Sequence, residues 1–157
     1  MGDRTTQSFV IDSFRGAHRF LSNFHPCRVA LDGEVYRSVE HAYQAAKTTD
    51  RERRKEVHSL TAGGAKRWGS ALPLRPDWEA VKLGVMRDLL RQKFLGDRGL
   101  AAQLLATGDQ DLIEGNTWGD TYWGVYRGCG NNHLGRLLMQ VRSELGRLPI
   151  SAGRGLE

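Results

Sequence analysis

Cys27-Arg28-Val29-Ala30-Leu31-Asp32-Gly33-Glu34-Val35-Tyr36-Arg37-Ser38-Val39-Glu40-His41-Ala42-Tyr43-Gln44-Ala45-Ala46-Lys47 changes its period halfway. Cys27–Leu31 and Glu34–Tyr36 flank Asp32-Gly33, and Asp-Gly between two extended runs is a strong signal for a two-residue hairpin turn. Ser38 then offers a hydroxyl to cap a helix running to about Thr48. At about 100° per residue, Val39, Ala42, Tyr43 and Ala46 share one stripe of that helix. Glu40, Gln44 and Lys47 share the stripe beside it. One face goes to a core, and an acid, an amide and a lysine lie along its edge.

Upstream, Phe9 to Phe14 alternates loosely and predicts a short strand. Downstream, Asp50 to Leu60 predicts a charged, exposed helix that Gly63-Gly64 breaks, and Ala65 to Gly69 a short helical turn. Pro73 and Pro76 mark a loop, and Asp77 is placed to cap the longest helix, Trp78 to Phe94. Its Trp78, Val81, Val85 and Leu89 recur at three and four, the spacing of an apolar stripe. Leu100 to Leu105 predicts another short helix, Leu112 to Glu114 a short strand. Asn132 opens a last helix that turns Leu134, Leu137, Leu138, Val141 and Leu145 inward and ends at Gly146. The expected fold class is α+β: a single helix-rich domain, residues 1–150, around a small β-sheet with a β-hairpin. Residues 151–157 are a Gly-rich tail expected to fray.

The chain of 157 residues is 39% hydrophobic and 26% charged, ordinary for a globular protein. No apolar run approaches the roughly 20 residues of a membrane span. No apolar stretch follows Met1-Gly2-Asp3-Arg4, so no secretory signal is expected and the expected location is cytoplasmic. Cys27 and Cys129 lack metal spacing and read as free thiols. The five histidines show no ligand pattern, so neither metal nor cofactor is expected. The net charge of +5 comes mostly from arginine. Guanidinium groups pair bidentately with phosphate, so the balance favours anionic ligands such as nucleotides, phosphoribosyl groups or nucleic acid.

Trp118-Gly119-Asp120-Thr121-Tyr122-Trp123-Gly124 carries the chemistry. Two tryptophans bracket one carboxylate, and two glycines loosen the backbone. Such a tract suits a pocket for a flat heterocycle with an acid at hand; packed as core it would be a turn plugged by its tryptophans. The chain has no G-x-S-x-G, no CxxC and no P-loop, and Gly128-Cys129-Gly130 lacks the context of a dinucleotide fingerprint. What remains is carboxylates, lysines, arginines and aromatics. That inventory suits cleavage of an N-glycosidic bond. Positive charge develops at the anomeric carbon, a carboxylate stabilises it or directs water, rings hold the base and basic groups hold phosphate.

Several segments occur together in order: Arg19-Phe20-Leu21-Ser22-Asn23-Phe24, the Tyr36 to Lys47 run, Leu74-Arg75-Pro76-Asp77-Trp78-Glu79, the tryptophan tract, and Gly130-Asn131-Asn132-His133-Leu134-Gly135-Arg136. From about Phe14 to Arg142 the chain resembles the NADAR family. Arg37 stands where the family pattern has proline, a departure that bears on a turn. The resemblance implies a hydrolase acting on N-glycosyl compounds. Its substrate would be a small ribose-phosphate N-glycoside, such as a phosphoribosylamino-pyrimidine intermediate of riboflavin synthesis, or nucleic acid carrying ADP-ribosylated guanine. A non-catalytic module binding ADP-ribose or a nucleotide is the alternative. Matched to the family's motifs, Glu40, Lys47 and Asp120 are the expected catalytic groups, with Lys47 placed either to attack C1 of the ribose or to hold a ribose phosphate. Asn23, Tyr36, Tyr43, Lys66, Trp118 and Trp123 are the expected substrate-binding groups. Trp78 matches as well, but its place at a helix start favours a core or wall role. No membrane partner is implied.

Overall fold

The computed structural model describes residues 10–149. Strand β1 (Val10–Ile11) pairs in parallel with β4 (Asp111–Leu112), and β2 (Pro26–Leu31) pairs antiparallel with β3 (Glu34–Ser38). Among the described residues the sheet content is thus two separate two-stranded pieces. Phe9, the start of the expected first strand, and the 151–157 tail lie outside the described residues.

The hairpin turns where the sequence predicts. Asp32 and Gly33 both adopt positive φ, 49° and 81°, which a two-residue turn between right-twisted strands demands. Leu31 faces Glu34, Ala30 faces Val35 and Val29 faces Tyr36, and a bulge follows between Val29 and Pro26. Ser38 ends β3 and caps α1 (Val39–Ala45), its hydroxyl oxygen accepting from the His41 N–H at 3.1 Å. Such a cap contributes about 1 kcal/mol.

Helix α1 closes earlier than Thr48. Lys47 N–H donates to Gln44 O and Thr48 N–H to Ala45 O, three-residue spacings that tighten the last turn. Arg54 fixes that end. Its Nε donates to the carbonyls of Ala45 and Thr48, and its Nη1 meets Asp32 Oδ2 at 2.6 Å. The segment 50–60 is therefore not a uniformly exposed helix. It is α2 (Arg51–Lys55) followed by a 3₁₀ turn (Glu56–Ser59), with Arg54 and Val57 buried beneath it. The tertiary pull on one arginine overrides the solvated pattern.

Gly63 and Gly64 do not break a helix either; they lie in the first turn of α3 (Ala62–Ser70). Thr61 caps that turn by accepting from Gly64 N–H at 3.0 Å. Glycine costs least at a helix end, where the cap bond replaces an intrahelical one. The break falls before Thr61.

Helices α4 (Trp78–Leu95), α5 (Arg98–Ala106) and α6 (His133–Arg147) complete the mixed α and β architecture. Asp77 holds the N-cap position of α4 but spends its carboxylate on Arg75, at 2.6 Å. The buried face of α4 is Met86, Leu89, Leu90 and Phe94, with Val81 and Val85 only half-buried. Helix α6 buries all five predicted apolar positions. Lys93 is buried in this core, its ammonium donating to Ser22 O at 2.9 Å, and burial lowers its pKa to about 8.

Candidate active site

A cavity of about 630 Å³ opens between α1, α3, the 14–24 segment and the 114–123 loop. Asn23, Glu40, Tyr43, Lys47, Lys66, Trp118, Asp120 and Trp123 all line it. Eight of the nine expected site residues therefore converge from four stretches of chain. Tyr36 does not. It sits on β3 opposite Val29, fully buried, with its ring stacked on His58 at 4.9 Å and its hydroxyl donating to Glu34 Oε2 at 3.1 Å. Strand alternation turns it toward the 56–59 turn and away from the cavity.

Glu40 is 7% exposed, a rare state for a glutamate. Its Oε1 accepts from Gln44 Nε2 at 2.7 Å, one helical turn on. Burial raises its pKa, opposed by that hydrogen bond and by the charges of Lys66 and Lys47. Gln44 is pressed against α3 at Gly69, where any Cβ would collide with its side-chain oxygen. Asn23 joins from the other side, its backbone carbonyl accepting from Glu40 N–H at 3.0 Å. The acid is thus placed by a cap, an amide and a glycine.

Lys47 leaves the tight turn that closes α1, and its own carbonyl accepts from Arg75 N–H at 2.8 Å. Its ammonium stands 5.7 Å from the centre of the Tyr43 ring. Burial lowers its pKa; Glu40 pulls the other way, while Lys66 and Lys82 add to the lowering. A half-buried amine among other cations is easier to deprotonate than a surface lysine.

Asp120 has a local task that spacing does not reveal. Its Oδ1 accepts from the N–H groups of Tyr122 and Trp123 at 3.0 and 2.9 Å. Its own N–H and carbonyl are both bonded by the Asn116 amide. The carboxylate thereby folds the loop that presents Trp123, while Oδ2 makes no hydrogen bond among the described residues. Trp123 Nε1–H donates to Tyr43 Oη at 3.2 Å, and the two rings meet edge-on. Trp78 packs behind Tyr43 at 5.2 Å and is buried, so it backs the wall. Trp118 is 52% exposed at the rim, with Lys66 Nζ 4.8 Å from its ring centre.

Sequence reasoning missed Glu114. It lines the cavity just beyond β4, and its Oε2 is buried without a hydrogen-bond partner. Burial first, then the neighbouring Asp120 carboxylate, raises its pKa to about 7. The signal available was an acid at the end of a predicted strand, four residues before the tryptophan tract. Arg15, Arg19 and Arg67 also line the cavity and supply phosphate-pairing groups. Among the described residues no cluster of three or more His, Cys, Asp or Glu side chains has the geometry to hold a metal ion.

Trp123→Ala is expected to weaken binding of a base-carrying ligand by about 1–3 kcal/mol, the worth of one stacked ring. A ligand titration beside a thermal melt checks this. A variant unfolded at room temperature would assign the ring to the core instead.

The NADAR domain model matches residues 11–146. Over 129 residues the chain is 41% identical to the N-glycosidase YbiA of Escherichia coli, covering 80% of each protein. It is 35% identical over 135 residues to an N-glycosidase of Nostoc punctiforme, covering 82% of this chain and 86% of that one. A riboflavin biosynthesis protein of Vibrio vulnificus is 43% identical over 132 residues; these are 82% of this chain but only 36% of that longer protein. The NMR structure of E. coli YbiA superposes with a TM-score of 0.74 at 37% identity, covering 91% of this chain and 90% of that one. Sequence match and shared fold agree over nearly the whole length, and the chain belongs to the NADAR domain family.

Proposed function

We propose that this chain is an N-glycosidase that hydrolyses the C1–N bond of a ribose-phosphate N-glycoside carrying an amino-substituted pyrimidine or guanine. The observation that carries the reading is one cavity in which buried Glu40 and half-buried Lys47 meet Tyr43 and Trp123. A binding module needs the rings and the basic rim. It does not need a carboxyl taken out of water beside an amine whose burial favours the neutral form.

In this reading Trp123 and Tyr43 hold the base, and Arg15, Arg19 and Arg67 hold phosphate. Glu40 stabilises positive charge growing at C1, where a water-poor wall makes its field count for more. Asp120, from the loop, shares the acid–base and charge work through its free Oδ2. Lys47 adds to C1 as the base leaves with the bonding pair and takes up a proton. Loss of the amine proton and ring opening give an iminium. Water adds to it, the lysine departs with a proton to leave the open-chain aldehyde, and the ring hydroxyl closes onto that carbonyl. The balance is one water consumed and one free base released.

The names of the E. coli and Nostoc relatives support the reaction class. The name of the Vibrio relative supports a phosphoribosylamino-pyrimidine as substrate. Exposed Trp118 with Lys66 against its ring favours, as a second reading, a base embedded in a larger nucleic acid. The test is product release with EDTA present throughout, because no role here belongs to a metal. Release of ribose 5-phosphate from the aminopyrimidine, or of ADP-ribose from an ADP-ribosyl-guanine oligonucleotide, identifies the substrate. Tight ADP-ribose binding with no release from either would make the chain a binding module and end the glycosidase reading.

A further inference from the structure

Glu40, Asp120 and Glu114 all face the cavity, but two of them are engaged. Glu40 accepts from Gln44, and Asp120 accepts from two backbone N–H groups. The Glu114 carboxyl accepts no hydrogen bond among the described residues, and its Oε2 is nevertheless buried. A buried unpaired oxygen costs about 1–3 kcal/mol, so its retention calls for a reason.

The backbone around it is fixed. Glu114 N–H donates to Asn132 Oδ1 at 3.0 Å, and Glu114 O accepts from Val125 N–H at 2.9 Å. The next residue, Gly115, lies so close to Asp12 that a Cβ would strike its carbonyl oxygen. At Gly124 a Cβ would come within 2.6 Å of Oε2 itself. Gly124 thus leaves room for a carboxyl that accepts no hydrogen bond among the described residues, and Gly115 lets the adjoining backbone lie against Asp12. It stands at the foot of the loop that carries Trp123, one of the two rings assigned to the base.

We propose that Glu114 is the acid that protonates the departing base, an assignment resting on the glycosidase reading above. As the C1–N bond breaks, its electron pair goes to nitrogen and the carboxyl proton goes with it. The water that finally adds at C1 yields a proton that restores the carboxyl. Glu40 and Lys47 work at the sugar, so the two jobs fall to groups on different walls. The groups facing Glu114 fit this role. Asp120 from its own loop and Glu40 from α1 oppose its ionisation, Lys66 from α3 favours it, and burial outweighs them all. Raised to about 7, the group carries a proton in a large fraction of molecules at neutral pH. An ordinary glutamate, near 4.3, does not.

The test is the pH dependence of kcat for base release. Wild-type kcat is expected to fall as pH rises through about 7. Glu114→Gln keeps the shape and removes the proton; it should lower kcat on the order of 10²-fold and abolish that alkaline limb. Glu114→Asp should keep the limb, at a shifted pH and with reduced kcat. An alkaline limb retained in Glu114→Gln, or a rise in KM with kcat unchanged, overturns the role. Should Glu114→Gln fail to fold by thermal melt, an unmoved limb in Glu114→Asp overturns it equally. A wild type that releases no base overturns the glycosidase reading and this role together; an active wild type with an indifferent Glu114→Gln overturns this role alone.

Discussion

Glu40→Gln is expected to lower kcat on the order of 10²-fold or more while leaving substrate affinity within a few-fold. The amide fits the same space, and its carbonyl still accepts from Gln44 Nε2, so the α1–α3 seam survives. On the proposed mechanism, what disappears is the negative charge that Glu40 offers C1 as the transition state develops. Such a loss lowers kcat and kcat/KM together. Asp120→Asn makes the companion test. Asparagine still accepts from the N–H groups of Tyr122 and Trp123, so the loop keeps its turn and only the charge goes. Asp120→Ala removes both and should also weaken binding by letting Trp123 drift. Steady-state kinetics on the three variants separates these effects. Near-normal turnover in both amide variants would end the assignment.

Lys47→Ala is expected to abolish turnover, and borohydride added during wild-type turnover to leave a sugar adduct on Lys47. Reduction freezes the iminium as a stable amine, so the adduct appears as a mass shift on one peptide. The expectation rests on burial outweighing Glu40 in setting the lysine's pKa. The amine is neutral more often than on the surface, and only the neutral form attacks carbon. Lys47→Arg should not rescue, because a guanidinium holds phosphate well but is not a nucleophile at neutral pH. If no adduct forms, and Lys47→Ala raises KM with kcat intact, the lysine is a phosphate anchor.

The parts of this fold legible in the sequence are those decided within a few residues. Asp32-Gly33 forces positive φ, Ser38 is a cap, and the leucines of α6 repeat on one face; all three appear as read. The pairing of β1 with β4 joins Val10 to Asp111, and no local signal encodes it. Arg54 reads as one of three arginines on a solvated helix until the carbonyls of α1 claim it. The site divides the same way. Glu40 and Lys47, expected from the family match on one helix edge, do line the cavity, Glu40 from α1 and Lys47 from the tight turn that closes it. Glu114 was not legible, since what marks it is a buried carboxyl oxygen without a partner among the described residues and the glycine at 124 that leaves it room, both set by distant parts of the chain. Tyr36, carried in by family likeness, belongs to the hairpin's other side.

The two walls of the cavity differ in how freely they can diverge among descendants of this chain. On the α1 wall a change is opposed several times over: Gly69 leaves no space beside Gln44, Arg54 ties down the turn from which Lys47 emerges, and Asn23 holds Glu40 from behind. On the loop wall Trp118 stands half in solvent beside Gly119, with no hydrogen bond among the described residues and Lys66 against its ring. Replacing it disturbs little of the core, and exposed loop positions tolerate such change. On the proposed reading, chemistry at the sugar is therefore the conservative half of this site, and the choice of base the half on which selection can act at small cost to folding.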